Sequence, residues 1–160
     1  MNTIDDIADY IILRVKSEDE YASLINLKLQ KLLYYIQAWA YGILGKPMFS
    51  GDFQAWIHGP VNREIYNRFV LTKSLYSEID IDDCKNKDVQ LSPEDKEFVD
   101  FILDNYLKYS GAELERLSHS EQPWIETRGN LGANERCEKV ISSKLMTEFY
   151  GQRWKEINSK

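Results

Sequence analysis

His58 and His119 are the only imidazoles in this 160-residue chain, so proton transfer near neutral pH would fall to them first. With Glu121 two residues beyond His119, the chain holds the residue types of a hydrolase: general acid, general base and orienting carboxylate. A metal would need a third and a fourth ligand. Neither an HExxH helix nor a cysteine cluster supplies them, and Cys84 and Cys137 stand far apart with no CxxC spacing. No metal and no cofactor is expected. The sequence also lacks a nucleophile elbow, a phosphate-binding glycine loop and a paired-carboxylate motif. Each imidazole therefore has three readings: a bond to backbone carbonyls where elements meet, a partner contact, or catalysis. We expect no catalytic residue, a structural role for His119 and a partner contact for His58. Gly59-Pro60 marks a tight strand-to-helix junction whose free first-turn amides could hold an anion or a carboxylate.

The second set of chemically useful residues lies on one helix. With Gln30 at zero and about 100° per residue, Leu29, Leu33, Ile36, Trp39, Ala40 and Ile43 share an apolar arc. Gln30, Tyr34, Gln37 and Tyr41 fall together on a different line, and no carboxylate occurs from Leu27 to Pro47. Such a line of amides and phenols either lies under another segment, its tips bonding loop backbone, or forms a recognition stripe. Taken as a stripe, it joins Trp56, His58 and Tyr66 in one partner-binding surface. Lys28, Lys31 and Lys46 beside the aromatics suggest single-stranded nucleic acid, but three lysines in an acidic chain make a poor phosphate track.

The elements that must position these residues are mostly helical. Thr3 caps a first helix with Ile4, Ile7, Ala8, Ile11, Ile12 and Val15 on its apolar face. Asn26 is the expected cap of the long second helix, which the turn at Gly45-Lys46-Pro47 ends. A third helix is predicted from Gly59-Pro60 with Val61, Ile65 and Phe69 on one face. Ser92-Pro93 opens a fourth, buried through Phe98, Phe101, Ile102, Tyr106 and Tyr109. Ser110-Gly111-Ala112-Glu113 has the spacing of a capping box and starts a fifth, carrying Leu114 and Leu117. Pro123 forces a restart and Gly129 closes that piece, while a last helix covers about 143–154. Residues 53–58 alternate as a strand, with a pairing partner expected near 89–91. The fold class is mainly α: one compact domain over 1–160, about six helices with a small β-hairpin or a short two- to three-stranded ribbon.

Charge is uneven. Residues 76–104 carry ten carboxylates against three lysines, net −7, while the total is −6 and the remainder is nearly neutral. The segment is either a solvated linker and helix start, or a patch that steers a basic partner. No run approaches the roughly 18 apolar residues of a membrane span, and the N-terminus lacks an export signal. A cytoplasmic protein is expected, with no membrane partner and with nucleic acid disfavoured. The sequence leaves the oligomeric state open.

Three blocks resemble a known family. Lys28-Leu29-Gln30-Lys31-Leu32-Leu33-Tyr34-Tyr35-Ile36-Gln37-Ala38-Trp39 looks like the helix motif of the Panacea family, the SocA-like or phage-associated GepA-like antitoxin domain. Gly45-Lys46-Pro47-Met48-Phe49, then Gln54-Ala55-Trp56-Ile57-His58-Gly59-Pro60-Val61, resembles its second block. The third, usually written around TH, E, PW and AR, is matched by 118–128, including His119, Glu121, Pro123, Trp124 and Arg128. Ser118 and Thr127 depart from it by small replacements. The resemblance implies a bacterial or phage-borne antitoxin that binds a cognate toxin protein, with Gly59, Pro60, His119, Pro123, Trp124 and Arg128 as structural motif. It also admits an adaptor that delivers the toxin to an AAA+ protease. A hydrolase using His58 and His119, and a nucleic-acid-binding regulator, are the remaining alternatives. No separate DNA-binding domain is expected.

Overall fold

The computed structural model describes residues 1–159, which form seven α-helices and one two-stranded sheet among them. The helices are α1 (Ile4–Glu18), α2 (Asn26–Trp39), α3 (Arg63–Phe69), α4 (Pro93–Tyr106), α5 (Gly111–His119), α6 (Gln122–Arg128) and α7 (Ser143–Asn158). Strands β1 (Gln54–Trp56) and β2 (Gly59–Val61) make an antiparallel hairpin between α2 and α3. The mainly α fold class with a small hairpin is the one the sequence predicts.

Helix α2 is the axis of the molecule. Every residue from Asn26 to Trp39 except Lys28 is buried, because α1, α4, α5, α7 and β2 pack around it. A helix that is covered all round needs an apolar surface all round or an internal partner for each polar group. The apolar arc is buried as expected, with Ile43 only half covered.

The local capping chemistry holds at most helix starts. Thr3 and Ser110 each close a capping box, with Asp6 and Glu113, and Ser92 accepts from the Asp95 amide with Pro93 in the first turn. Asn26 is a correction. It is the first helical residue, and Ile25 before it offers no side-chain cap. The amides of Asn26 and Leu27 instead donate to the Ser77 and Leu75 carbonyls at 2.9 and 2.7 Å. A distant loop thus does what a local side chain was expected to do.

The third helix also begins later than predicted. Pro60 sits within β2 opposite Ala55, and Asn62 is the cap, its side chain accepting from the Ile65 amide at 2.9 Å. Proline is tolerated in the strand because the carbonyl of Ala55 opposite takes its donor from Arg128, so it does not wait for a Pro60 N–H. The strand's outer partner is residues 139–141, not 89–91: the Ala55 N–H donates to the Lys139 carbonyl, Ile141 donates back to the Phe53 carbonyl and Gln54 bridges Val140. On α4 the buried residues are Val99, Ile102 and Leu103, while Phe101 is 44% exposed. The last helix runs four residues past its predicted end.

Beyond Trp39 the chain widens into a π-helical turn, Ala40–Leu44, closed by left-handed Gly45. Here α7 crosses at backbone distance. A Cβ on Gly42 would lie 2.7 Å from the Gly151 nitrogen and from Tyr150 Cβ. Gly42→Ala is expected to lower the unfolding free energy by about 1–3 kcal/mol, the range of an overpacked core. A denaturant titration reads this directly, and an unchanged midpoint would mean that α7 can back away.

Candidate functional site

The hairpin collects most of the residues singled out in the sequence. Its turn is Ile57-His58, between Trp56 and Gly59, which pair across it. Gly59 has φ 91°, and a Cβ there would meet Ser118 Oγ at 2.7 Å and Lys31 Cε at 2.8 Å. Only glycine satisfies both the backbone angle and the space.

Arg128 and Trp124 on α6 grip the hairpin from one side. Buried Arg128 donates to the Ala55 carbonyl at 2.9 Å and to the Gly132 and Glu135 carbonyls, with its guanidinium 4.8 Å from the Trp124 ring. Arg128 thus stacks on Trp124 and spends its donors on backbone carbonyls. Trp124 Nε1 donates to the Trp56 carbonyl at 2.8 Å, and its ring stacks on His119 at 4.1 Å. Pro123 is buried in the first turn of α6.

Beneath the turn lies a polar group the sequence reading missed. Lys31 is fully buried, and its Nζ donates to the Pro60 carbonyl at 2.9 Å. Burial pushes its pKa down to about 7, against the opposing pull of Glu115. Glu115 Oε1 lies 3.3 Å from His58 Nδ1, so the carboxylate facing the imidazoles is Glu115 and not Glu121. Burial also lowers the pKa of His119, whose Nε2 is enclosed without a partner among the described residues. A lysine inside a helix free of carboxylates was the available signal for this group.

Glu121 instead belongs to the core. Its Oε1 accepts from Tyr35 at 2.7 Å and Tyr150 at 3.0 Å, and Tyr150 also shares a bond with Tyr34 at 3.1 Å. The pKa of Glu121 is raised by burial, partly offset by the two phenols.

The supposed stripe divides. Gln30 receives the Asn62 amide and returns a bond to the Asn62 carbonyl, at 2.8 and 3.1 Å. Gln37 likewise holds the Met48 and Phe49 amides and donates to the Phe49 carbonyl. With Tyr34 they have essentially no exposed surface, so in this fold Gln30, Tyr34 and Gln37 cannot be contact residues. Their polar tips are spent on loops, the first of the two explanations. Tyr41 is half-buried at the π turn, away from the hairpin cleft. Lys28 donates to the Leu107 carbonyl and Lys31 is buried, so no phosphate track forms.

Trp56, His58 and Tyr66 do come together. They line a cleft of about 240 Å³ with Ile57, Arg63, Arg136, Cys137 and Glu138. The Trp56 and Tyr66 rings meet edge to face at 5.0 Å, and the Arg63 guanidinium lies 4.8 Å from the Trp56 centroid. Arg63 and Arg136 both pair with Glu138, and the His58 side chain is 42% exposed. Arg63 precedes Tyr66 by three residues on α3, a spacing that puts both on one face and was legible. Arg136 and Glu138 arrive from a loop distant in sequence.

Among the described residues no group of three metal-binding side chains converges, and no helix is long and apolar enough to cross a membrane. The acidic segment is substantially compensated: Glu78, Asp80, Asp82, Asp83, Asp100 and Asp104 all stand in ion pairs with Lys or Arg.

Residues 29–125, which contain most of α2, the hairpin, α3 to α5 and the start of α6, match the family described as antitoxin SocA-like, Panacea domain. The chain belongs to this family. It is 32% identical over 136 residues to Antitoxin SocA of Caulobacter vibrioides, covering 75% of this chain and 71% of that protein. No solved structure matches.

Lys31 generates a pH signature. Between about pH 7 and its ordinary 10.5 the unfolded chain holds this proton and the folded one does not, so unfolding free energy rises with pH. Buried tyrosines reverse the trend only above their ordinary 10. Urea titrations between about pH 7 and pH 9 should show a steeper rise for the native sequence than for Lys31→Met. Parallel curves would mean the lysine keeps its charge in the fold.

Proposed function

We propose that the protein is an antitoxin that neutralises a cognate toxin by direct protein–protein binding, through the surface formed by Trp56, His58 and Tyr66 with Arg63. The observation that carries this, beyond family membership, is the convergence of those side chains on one cleft from two elements. Trp, Tyr and Arg dominate binding energy at protein interfaces because they offer large, rigid contact area at modest entropic cost. Here the hairpin is fixed from below by Arg128, Trp124, Lys31 and Gln30, so little ordering is left to occur on binding. Tyr41 lies outside this cleft and is kept as a peripheral contact at most.

The inhibition needs no bond-making. Of the two imidazoles of the hydrolase alternative, His119 has an enclosed Nε2, while partly exposed His58 lies beside Glu115 within the contact surface. Occlusion predicts a stable, inert complex in a pulse-chase of the toxin, whereas delivery to an AAA+ protease predicts its protease-dependent loss.

Co-expression with the product of the neighbouring reading frame tests the proposal. That product should be toxic alone and tolerated together with this protein. Trp56→Ala should weaken complex formation by about 2 kcal/mol or more, roughly thirtyfold, while leaving the thermal melt nearly unchanged. Tyr34→Ala should do the reverse in cause: a loss of about 3–5 kcal/mol in stability, with rescue failing only as the fold fails. Undiminished binding by Trp56→Ala would place the interface elsewhere.

A further inference from the structure

Lined by none of the residues of the hairpin cleft, an open cavity of about 580 Å³ lies between α4, α7 and the π turn. That volume is within the range of small-molecule sites. Its walls are aromatic and aliphatic, led by Trp39, Phe101, Tyr106, Trp154 and Ile157. Phe101 and Ile157 are 44% and 51% exposed, so the walls continue to the surface. Its charged or amide lining groups are Asn105, Lys108 and Arg153, all exposed, and Glu121, which is only 7% exposed.

The two oxygens of Glu121 differ. Oε1 takes both phenol protons, from Tyr35 and Tyr150. Oε2 accepts from no described residue, and Glu121 is one of the residues that line the cavity. Among the described residues no lysine or arginine pairs with this carboxylate, although Arg153, which also lines the cavity, pulls its pKa down from a distance. Arg153 at the rim stacks on Phe149 at 5.0 Å and faces Glu156, and Lys108 sits over Tyr109 at 5.3 Å. A carboxylate oxygen held in apolar surroundings with no donor is costly unless a donor is brought to it. Aromatic faces around it favour a cation over a neutral donor, since ring quadrupoles and the carboxylate attract the same charge.

We propose that this cavity is a binding site for an organic cation: one ammonium or guanidinium group on an apolar stem, its charged end on Glu121 Oε2 and its stem between Trp39, Phe101 and Trp154. A free amine and a lysine or arginine side chain of a partner share this chemistry. The site is separate from the hairpin cleft and does not depend on the antitoxin reading. Burial raises the pKa of Glu121, and a bound cation would bring it back down.

Calorimetric titration of the full chain with phenethylammonium, phenethyl alcohol and phenylacetate tests the charge requirement. Phenethylammonium should bind in the millimolar range or tighter, about tenfold better than the alcohol, with phenylacetate weakest. Glu121→Gln should erase the preference for the amine while leaving the alcohol unaffected. If that variant unfolds, the native ratio still decides, and Trp154→Ala should weaken amine and alcohol alike. A blocked peptide, acetyl-Leu-Lys-Leu-amide, separates the sources: binding of the amine alone points to a small ligand, and binding of the peptide points to a partner's side chain. Equal binding of amine and alcohol, preference for phenylacetate, or no binding of either amine or peptide in the millimolar range overturns the proposal.

Discussion

Covering all sides of a helix that carries polar residues imposes one constraint: each polar tip must find a partner inside the protein. A buried amide left unpaired costs about 1–3 kcal/mol, a large share of the stability of a domain this size. In α2 the constraint is met by drawing loops onto the helix. Gln37 gathers 48–49, Gln30 gathers Asn62, Lys31 takes the Pro60 carbonyl, and Trp39 Nε1 donates to Tyr106. The helix thereby places the hairpin, the start of α3 and the end of α4 at once. Its own first amides are in turn satisfied by the 75–77 loop.

The hairpin inherits its rigidity from that arrangement. Three residues per strand cannot stand alone in water. Here both strands are tied by side chains from α2 and α6, and β1 is extended by 139–141. Positive φ at Gly59 lets the chain pass between Ser118 and Lys31 without a clash. The Trp56 carbonyl is anchored while its ring faces the cleft, so an outward aromatic surface rests on a fixed backbone. Precise presentation of that kind is what supported binding surfaces require.

What the sequence made legible was local. The caps at Thr3, Ser92 and Ser110, the stop at Gly45, the alternation over Gln54–Trp56 (the strand predicted to 58 turns at Ile57-His58) and the apolar arc of α2 all rest on contacts a few residues apart. What it concealed was long-range. Asn26 has the residue type of a cap, but the loop 50 residues on supplies the acceptors instead. Gln30, Tyr34 and Gln37 form a true line on the helix, and periodicity cannot say whether a second segment covers such a line. The pairing of Glu115 with His58, and of Glu121 with Tyr35 and Tyr150, joins segments 57, 86 and 29 residues apart. Trp56, His58 and Tyr66 line one cleft because a strand, a tight turn and a short helix keep them close in sequence.

Charge follows the same division between local pattern and distant closure. The run 76–104 reads as a strongly acidic tract, but α1 and the loop after α3 carry cations that meet it: Arg14 reaches Asp100 and Asp104, Lys16 reaches Glu78, and Lys73 reaches Asp83. Asp9 on α1, buried itself, takes Arg68 and the amides of Lys85 and Asn86, which fastens the tract to the body. The tract therefore works mainly as a structural strap, with six of its ten carboxylates in ion pairs. With screening over about 8 Å at physiological salt, paired carboxylates act weakly on an approaching protein. Under the proposed reading, the selection of a partner then falls to contact groups, where the Arg63 and Arg136 guanidinia frame the aromatic cleft against the single carboxylate of Glu138.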